Sequence, residues 1–112
     1  MSRKLSMNLS LEGIELGPKA SEVNPKQVIA GTCQNIMSAY SGAQRGLNKP
    51  ERALFYGIAE ALQAAVKDNS DAVELTDEQG GFLKKCLLQA KMDPSEVLKR
   101  VETLIDAMEG YR

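Results

Sequence analysis

The sequence contains no histidine and no tryptophan. Without histidine, Ser-His-Asp and Cys-His catalysis and histidine-based metal sites are excluded within one chain. Phenylalanine and tyrosine together contribute only five residues, so aromatic platforms for stacking single-stranded nucleic acid are scarce. A formal net charge of -1 also disfavours duplex nucleic acid as a partner, because proteins that bind it carry a strongly basic surface.

Cysteine is almost as scarce. Cys33 and Cys86 are the two cysteines, and they lie far apart in the sequence among apolar residues at helical spacing. A free cysteine in such a setting packs as a small hydrophobic side chain. We therefore expect both thiols in the core, and a disulfide or a reactive thiol is the alternative.

Long apolar runs are also absent, since no stretch approaches the roughly 18 residues of a membrane span. The segment 1–6 has no apolar run resembling a secretory signal, so we expect a cytoplasmic protein without a membrane partner. The chain has 112 residues, of which 43% are hydrophobic and 26% charged. This composition is typical of a single globular domain over residues 1–112.

The N-terminal segment has the period of a β-strand. Leu5, Met7, Leu9 and Leu11 alternate with polar residues, and Glu12-Gly13 then predicts a tight turn. With a return strand at 14–16, the pattern predicts a β-hairpin over 3–17, to which 73–75 could add a third strand. The exposed edge of this hairpin is a candidate partner surface, with Leu5, Met7, Asn8 and Leu9 as its residues.

Four later segments carry the apolar repeat of amphipathic helices. The second, for example, places Leu54, Ile58 and Leu62 on one face at spacings of four. Each segment opens with a capping signal, such as Asn48 with Glu51 three residues later. The predicted fold class is therefore α+β and predominantly helical, with the hairpin packed on about four α-helices. The predicted helices span 24–41, 49–67, 77–91 and 94–109.

A basic loop connects the first two predicted helices. Arg45, Lys49 and Arg52 face a single acid, Glu51, between residues 40 and 52, and the loop leads into a helix N-terminus, which favours anions. We predict that these three cations contact an anion or an acidic partner surface. An ordinary solvated loop is the alternative, because the segment matches no phosphate-loop pattern.

Two adjacent glycines stand out in the third predicted helix. Gly80 and Gly81 should each cost about 1 kcal/mol relative to alanine. Their presence indicates that another group approaches the backbone closely. A neighbouring helix, a strand and a partner chain are all candidates for that group.

No arrangement of residues indicates catalysis. No nucleophile lies beside a base, and the 15 acidic residues offer no spacing that singles out one pair. The acidic stretch between Glu60 and Glu78 has no EF-hand spacing and is interpreted as a solvated face, whereas the stretch from Lys84 to Arg100 is basic. We predict no enzyme activity, no cofactor and no metal site.

The layout resembles a group of small uncharacterised proteins encoded by tailed bacteriophages. The stretches that carry the resemblance are 5–16, 51–54 with 58–59, and 73–78 with 82–85. It implies a phage or prophage protein that acts inside the bacterial cytoplasm, or a minor assembly component. The group has no assigned active site, so no functional residue is transferred to this chain.

Three functions fit these observations. The first is a non-enzymatic interaction module of phage origin that binds and modulates a bacterial host protein, such as a defence or transcription component, with a hairpin edge suited to strand addition. The second is a small anionic ligand-binding protein, for instance one that sequesters nucleotides, and the third is a minor structural or assembly protein of the virion. A homodimer is also expected, because amphipathic helices in so small a domain leave apolar surface for a partner.

Overall fold

The chain forms four helices and a two-stranded antiparallel sheet in residues 2–14 and 22–108, which are the residues that the structure, a computed structural model, describes. The predicted class, a predominantly helical α+β fold, is confirmed. The elements follow in the order β1 (Ser2–Ser6), α1 (Pro25–Ala43), α2 (Lys49–Lys67), β2 (Ala72–Thr76), α3 (Asp77–Gln89) and α4 (Glu96–Ala107).

The helices begin where short polar side chains cap them. The side chains of Asn24, Asn48 and Thr76 each accept a hydrogen bond from a backbone N–H of the first turn that follows. The fourth helix differs from the prediction, because it begins at Glu96 and not at residue 94. Its cap is Ser95, whose Oγ accepts from the Leu98 N–H at 3.0 Å.

The sheet pairs two segments that are distant in sequence. β1 runs antiparallel to β2, with Ser2 opposite Thr76 and Ser6 opposite Ala72. The segment 73–75, which the sequence allowed as a third strand, is thus the direct partner of the first. In place of the expected 3–17 pairing, β1 ends at Ser6 and residues 7–14 are in no strand. Residues 15–17 of the expected return strand lie outside the described residues.

The turn predicted at Glu12-Gly13 is present. The Ile14 N–H donates to the Leu11 carbonyl at 3.1 Å, and Gly13 has φ +79°, a conformation open to glycine. Just before the turn, the Ser10 carbonyl accepts a hydrogen bond from Nη1 of the Arg100 guanidinium at 2.8 Å. The segment after β1 is therefore held against α4.

The core lies between the sheet and the helices. Leu5, Val73 and Leu75 point inward from the sheet, because alternate residues of a strand share a face. In the described part of the chain no polar or charged residue is buried. Cys33 and Cys86 are free and fully buried, so the expected core placement is confirmed.

Candidate interaction site

The corner between α1 and α2 is built by an unusual helix end. The Gly46 N–H donates to the Ser41 carbonyl at 2.8 Å, and the Arg45 N–H donates to the Gly42 carbonyl at 3.2 Å. This pair of bonds is the Schellman motif, whose left-handed position is normally glycine. Here that position is Arg45, with φ +58°. An arginine held in this region carries backbone strain.

α2 begins only a few residues later, in a fixed geometry. The Asn48 side chain accepts from the Glu51 N–H at 3.0 Å, and Glu51 Oε1 accepts from the Asn48 N–H at 3.2 Å. These reciprocal bonds form the capping box that the sequence predicted. Arg52 Nη1 also donates to the Leu47 carbonyl at 2.6 Å. The loop is thereby tied to the first turn of α2.

A surface groove of about 380 Å³ lies at this corner. We call it the α1–α2 groove. Tyr56 is 60% exposed beside it, and its ring meets the half-buried Phe55 ring edge to face, with centroids 6.2 Å apart. The residues that line the groove are Ser41, Gly46, Leu47, Arg52, Phe55 and Tyr56.

The three cations predicted as a binding set lie around this corner but do not converge on one point. Arg52 lines the groove, Arg45 directly precedes the lining residue Gly46, and Lys49 is exposed at the start of α2. Among the described residues, none of the three pairs with a carboxylate. The corner is therefore positively charged around an aromatic surface.

The aromatic part of this surface was missed in the sequence. The charge and capping patterns that locate the basic loop do not single out Phe55 or Tyr56. A signal was nevertheless present. Tyr56 precedes the buried Ile58 by two residues, which is about 200° around a helix and hence on its outer face.

A polar junction behind the groove joins three helices. Tyr40 Oη donates to Glu51 Oε2 at 3.5 Å, and Lys85 Nζ lies 3.6 Å from the same oxygen. The interaction with Tyr40, and next the negative charge of Glu51, raise the pKa of Lys85 above its ordinary value. Lys85 therefore remains an ammonium at neutral pH, which suits an ion pair and not a nucleophile.

The N-terminal residues predicted as a partner edge divide into two groups. Leu5 and Met7 are fully buried, and the Met7 N–H donates to the Asp71 carbonyl at 2.8 Å, so neither side chain is available to a partner. Asn8 is exposed and Leu9 is half-buried. Met7, Asn8 and Leu9 all lie outside β1. The strand therefore lies closer to the N-terminus than the edge predicted at Leu5, Met7, Asn8 and Leu9.

The close approach expected at the paired glycines occurs at one of them only. A Cβ on Gly80 would lie 2.7 Å from Arg3 Cδ, and Arg3 Nε donates to Asp77 Oδ1 at 3.2 Å. A Cβ on Gly81 would meet no atom of the described residues within 4 Å. The group that approaches Gly80 is thus a side chain of β1, and no helix or strand of the described chain approaches Gly81, where a partner chain stays a prediction.

A close approach that the sequence did not reveal occurs at Gly57. A Cβ there would lie 2.6 Å from Gln79 Nε2, and Gln79 Oε1 accepts from the Thr76 N–H in the capping box of α3. A glycine on α2 therefore makes room for a side chain that caps α3.

The two buried cysteine thiols are unreactive at neutral pH. Burial raises the pKa of Cys33 to about 12, and burial is also the main cause that raises the pKa of Cys86 to about 12. Both thiols are protonated at neutral pH and are poor nucleophiles.

Within residues 2–14 and 22–108, no group of three or more His, Cys, Asp or Glu residues could hold a metal ion. No helix in those ranges is long and apolar enough to cross a membrane.

Comparisons with known proteins add no relative. No protein-family model, no curated protein and no solved structure matches this chain.

Proposed function

We propose that the protein is a non-enzymatic interaction module whose α1–α2 groove binds an acidic segment of a partner protein through an apolar anchor residue. The observation that carries this proposal is Tyr56, a large aromatic residue that is 60% exposed at a groove near three cations that pair with no carboxylate of the described residues. Tyrosine and arginine are the residue types enriched among the strongest contributors to protein interfaces.

The shape and charge of the groove favour this kind of partner. Phe55 and Leu47 give it an apolar lining, which suits a large apolar side chain of the partner. Arg52 lines the groove, and Arg45 and Lys49 lie on the adjoining loop and helix start. None of the three has a carboxylate partner in the described residues, so acidic residues beside the anchor would be attracted. A compact anion such as a nucleotide is a weaker fit, because only Arg52 of the three lines the groove.

Arg45 adds support from backbone energetics. A left-handed backbone costs an L-residue roughly 1–2 kcal/mol, and glycine would fit the same helix end without that cost. Strained residues of this kind cluster at ligand-binding positions. We infer that the side chain of Arg45, which extends from the loop beside the groove, takes part in binding.

The resemblance to phage-encoded proteins supports a bacterial protein as the partner, for example a defence or transcription component. It also supports the bacterial cytoplasm as the place of action. A homodimer stays a prediction, and sedimentation of the purified protein over a range of concentrations tests it.

A selection of short random peptides displayed on a carrier and captured by the purified protein tests the proposal. The enriched peptides should combine Asp or Glu with one large apolar residue, and their affinity should fall as salt is added. Tyr56→Ala should weaken their binding by about thirtyfold or more, since truncating a central interface aromatic costs about 2 kcal/mol or more.

Two matched variants serve as controls. Leu88→Ala removes the other large exposed apolar residue of the described chain, which is 85% exposed on α3, and should leave the affinity unchanged. Arg45→Gln should weaken binding, whereas Lys91→Gln, an exposed cation after α3, should not. Enriched peptides without acidic residues, or equal binding to Tyr56→Ala, would contradict the proposal. Displacement of the peptides by a free nucleotide would favour the anionic-ligand function.

A further inference from the structure

The pairing of β1 with β2 determines where the backbone groups of β1 point. Leu5 lies opposite Val73, Arg3 lies opposite Leu75, and the Met7 N–H donates to the Asp71 carbonyl in the same register. In an antiparallel pair, hydrogen-bonded positions alternate along the strand. The odd-numbered residues of β1 therefore bond to β2, whereas the N–H and C=O groups of the even-numbered residues point to the opposite edge.

That opposite edge is a row of backbone donors and acceptors that the described residues leave unpaired. It consists of Ser2, Lys4 and Ser6, and we call it the β1 edge. Within the described residues β1 pairs with β2 alone, and no hydrogen bond joins the outward backbone groups of the β1 edge to another part of the protein. An extended strand is the structure that satisfies such a row, as in β-augmentation.

The side chains on this edge are compatible with an added strand. Ser2 and Ser6 are small, and the exposed Lys4 stands at the centre of the strand. Lys4 lies opposite Glu74 in the register, yet no carboxylate of the described residues is within ion-pair distance of its ammonium. A residue of an added strand that lies opposite Lys4 would therefore meet the positive charge of an ammonium that no carboxylate of the described residues neutralises.

We propose that the β1 edge binds an extended segment of a partner protein that carries an acidic residue opposite Lys4. Backbone hydrogen bonds to the β1 edge provide the attachment, and the Lys4 charge selects the partner residue. This surface lies on β1 and binds through backbone hydrogen bonds, whereas the α1–α2 groove lies between two helices and binds through side chains. The two proposals therefore stand or fall separately.

The charge on Lys4 also argues against a second copy of this chain. Two copies of β1 that pair antiparallel about the centre of the strand would place Lys4 opposite Lys4 of the other copy. Like charges directly opposite each other are destabilising in a sheet. An edge lysine of this kind protects a protein from pairing with itself.

Titration with two synthetic peptides, followed by the backbone amide signals of the 15N-labelled protein, tests the proposal. The probe is Thr-Val-Glu-Val-Thr, and the matched control is Thr-Val-Lys-Val-Thr. The glutamate peptide should shift and protect the amides of Lys4 and Ser6 and leave the Leu5 amide, already bonded to β2, protected throughout. It should bind more tightly than the lysine peptide by up to about fivefold.

Two variants make the test specific. Lys4→Gln keeps a long polar side chain without placing a like charge opposite Glu74, and it should abolish the preference between the two peptides. Lys4→Pro removes an N–H that points away from β2, so the ladder with β2 is retained while binding of both peptides is lost. Amide signals of β1 that do not respond to either peptide would overturn the proposal, and so would binding that Lys4→Pro leaves intact. Protection of the Lys4 and Ser6 amides that appears on raising the protein concentration alone would also overturn it, in favour of self-pairing.

Discussion

The strained end of α1 makes a quantitative prediction about Arg45. Arg45→Gly and Arg45→Ala both remove the guanidinium, so both lose whatever the charge contributes near the C-terminus of the helix. They differ in the backbone, because alanine remains strained at φ +58° whereas glycine does not. The left-handed region costs roughly 1–2 kcal/mol, and the greater freedom of glycine in the unfolded chain offsets roughly 0.5–1 kcal/mol of it. The glycine variant should therefore be more stable than the alanine variant by about 1 kcal/mol, or about 4 °C in Tm for a chain of this length.

Urea denaturation followed by circular dichroism measures the difference, with equal m-values as the sign that both variants unfold alike. The end of α2 supplies an internal control, since Asn69 has φ +53° and the same pair of bonds, from the Asn69 N–H to the Val66 carbonyl and from the Ser70 N–H to the Ala65 carbonyl. Asparagine tolerates this region, so Asn69→Gly should change stability by less than about 0.5 kcal/mol. Equal stability of the glycine and alanine variants at Arg45 would refute the strain argument, and with it one support for the proposed function.

Three further predictions concern stability. Gly81→Ala should stabilise the protein by about 1 kcal/mol, because no atom of the described residues lies within 4 Å of the new Cβ. Gly80→Ala should gain less or lose stability because Arg3 must move, and equal thermal shifts for the pair would contradict the close approach. Glu51→Ala removes the capping box and the partner of Tyr40 and Lys85, so the free energy of unfolding should fall by about 1–2 kcal/mol, with Glu60→Ala, an exposed acid on the same helix, as the control. Because the Cys33 pKa is about 12 in the fold against 9.0 in the unfolded chain, the unfolded state releases this proton first as pH rises. Stability should thus fall between pH 9 and 12, and this thiol should contribute about 1.4 kcal/mol per pH unit, a component that Cys33→Ala should abolish.

Local signals were sufficient for most of the helical fold. Asn24, Asn48 and Thr76 mark helix starts through bonds made within one turn, and such bonds depend only on neighbouring residues. The α4 start was misplaced because Asp93 and Ser95 are both competent caps. The choice between them depends on which side chain reaches the backbone N–H groups of the first turn.

The sheet could not be derived in the same way. Alternation from Leu5 to Leu11 is typical of a strand, but it does not identify the strand with which the segment pairs. That strand is β2, which follows α2 and lies about seventy residues later in the sequence. Met7 remains buried and bonded to Asp71 without being part of β1, and the alternating pattern therefore extends beyond the strand itself.

Only part of the candidate site could be predicted from the sequence. The basic loop could be located from local charge, because loop cations remain at the surface. The left-handed conformation of Arg45 and the groove beside Tyr56 could not be predicted from the sequence, because both depend on the angle at which α2 leaves the loop. The room at Gly57 for Gln79 likewise depends on how α2 and α3 approach each other.

Site-specific photocrosslinking in bacterial cells tests the central claim most directly. A benzophenone amino acid is placed at position 56 in one variant and at position 88 in another, because Tyr56 and Leu88 are the large exposed apolar residues of the described chain. A binding groove at the α1–α2 corner predicts a discrete protein adduct at position 56, lost when Arg45 and Lys49 are replaced by glutamine, and none at position 88. No adduct at position 56, or the same adduct at both positions, would contradict an interaction module that acts through this groove.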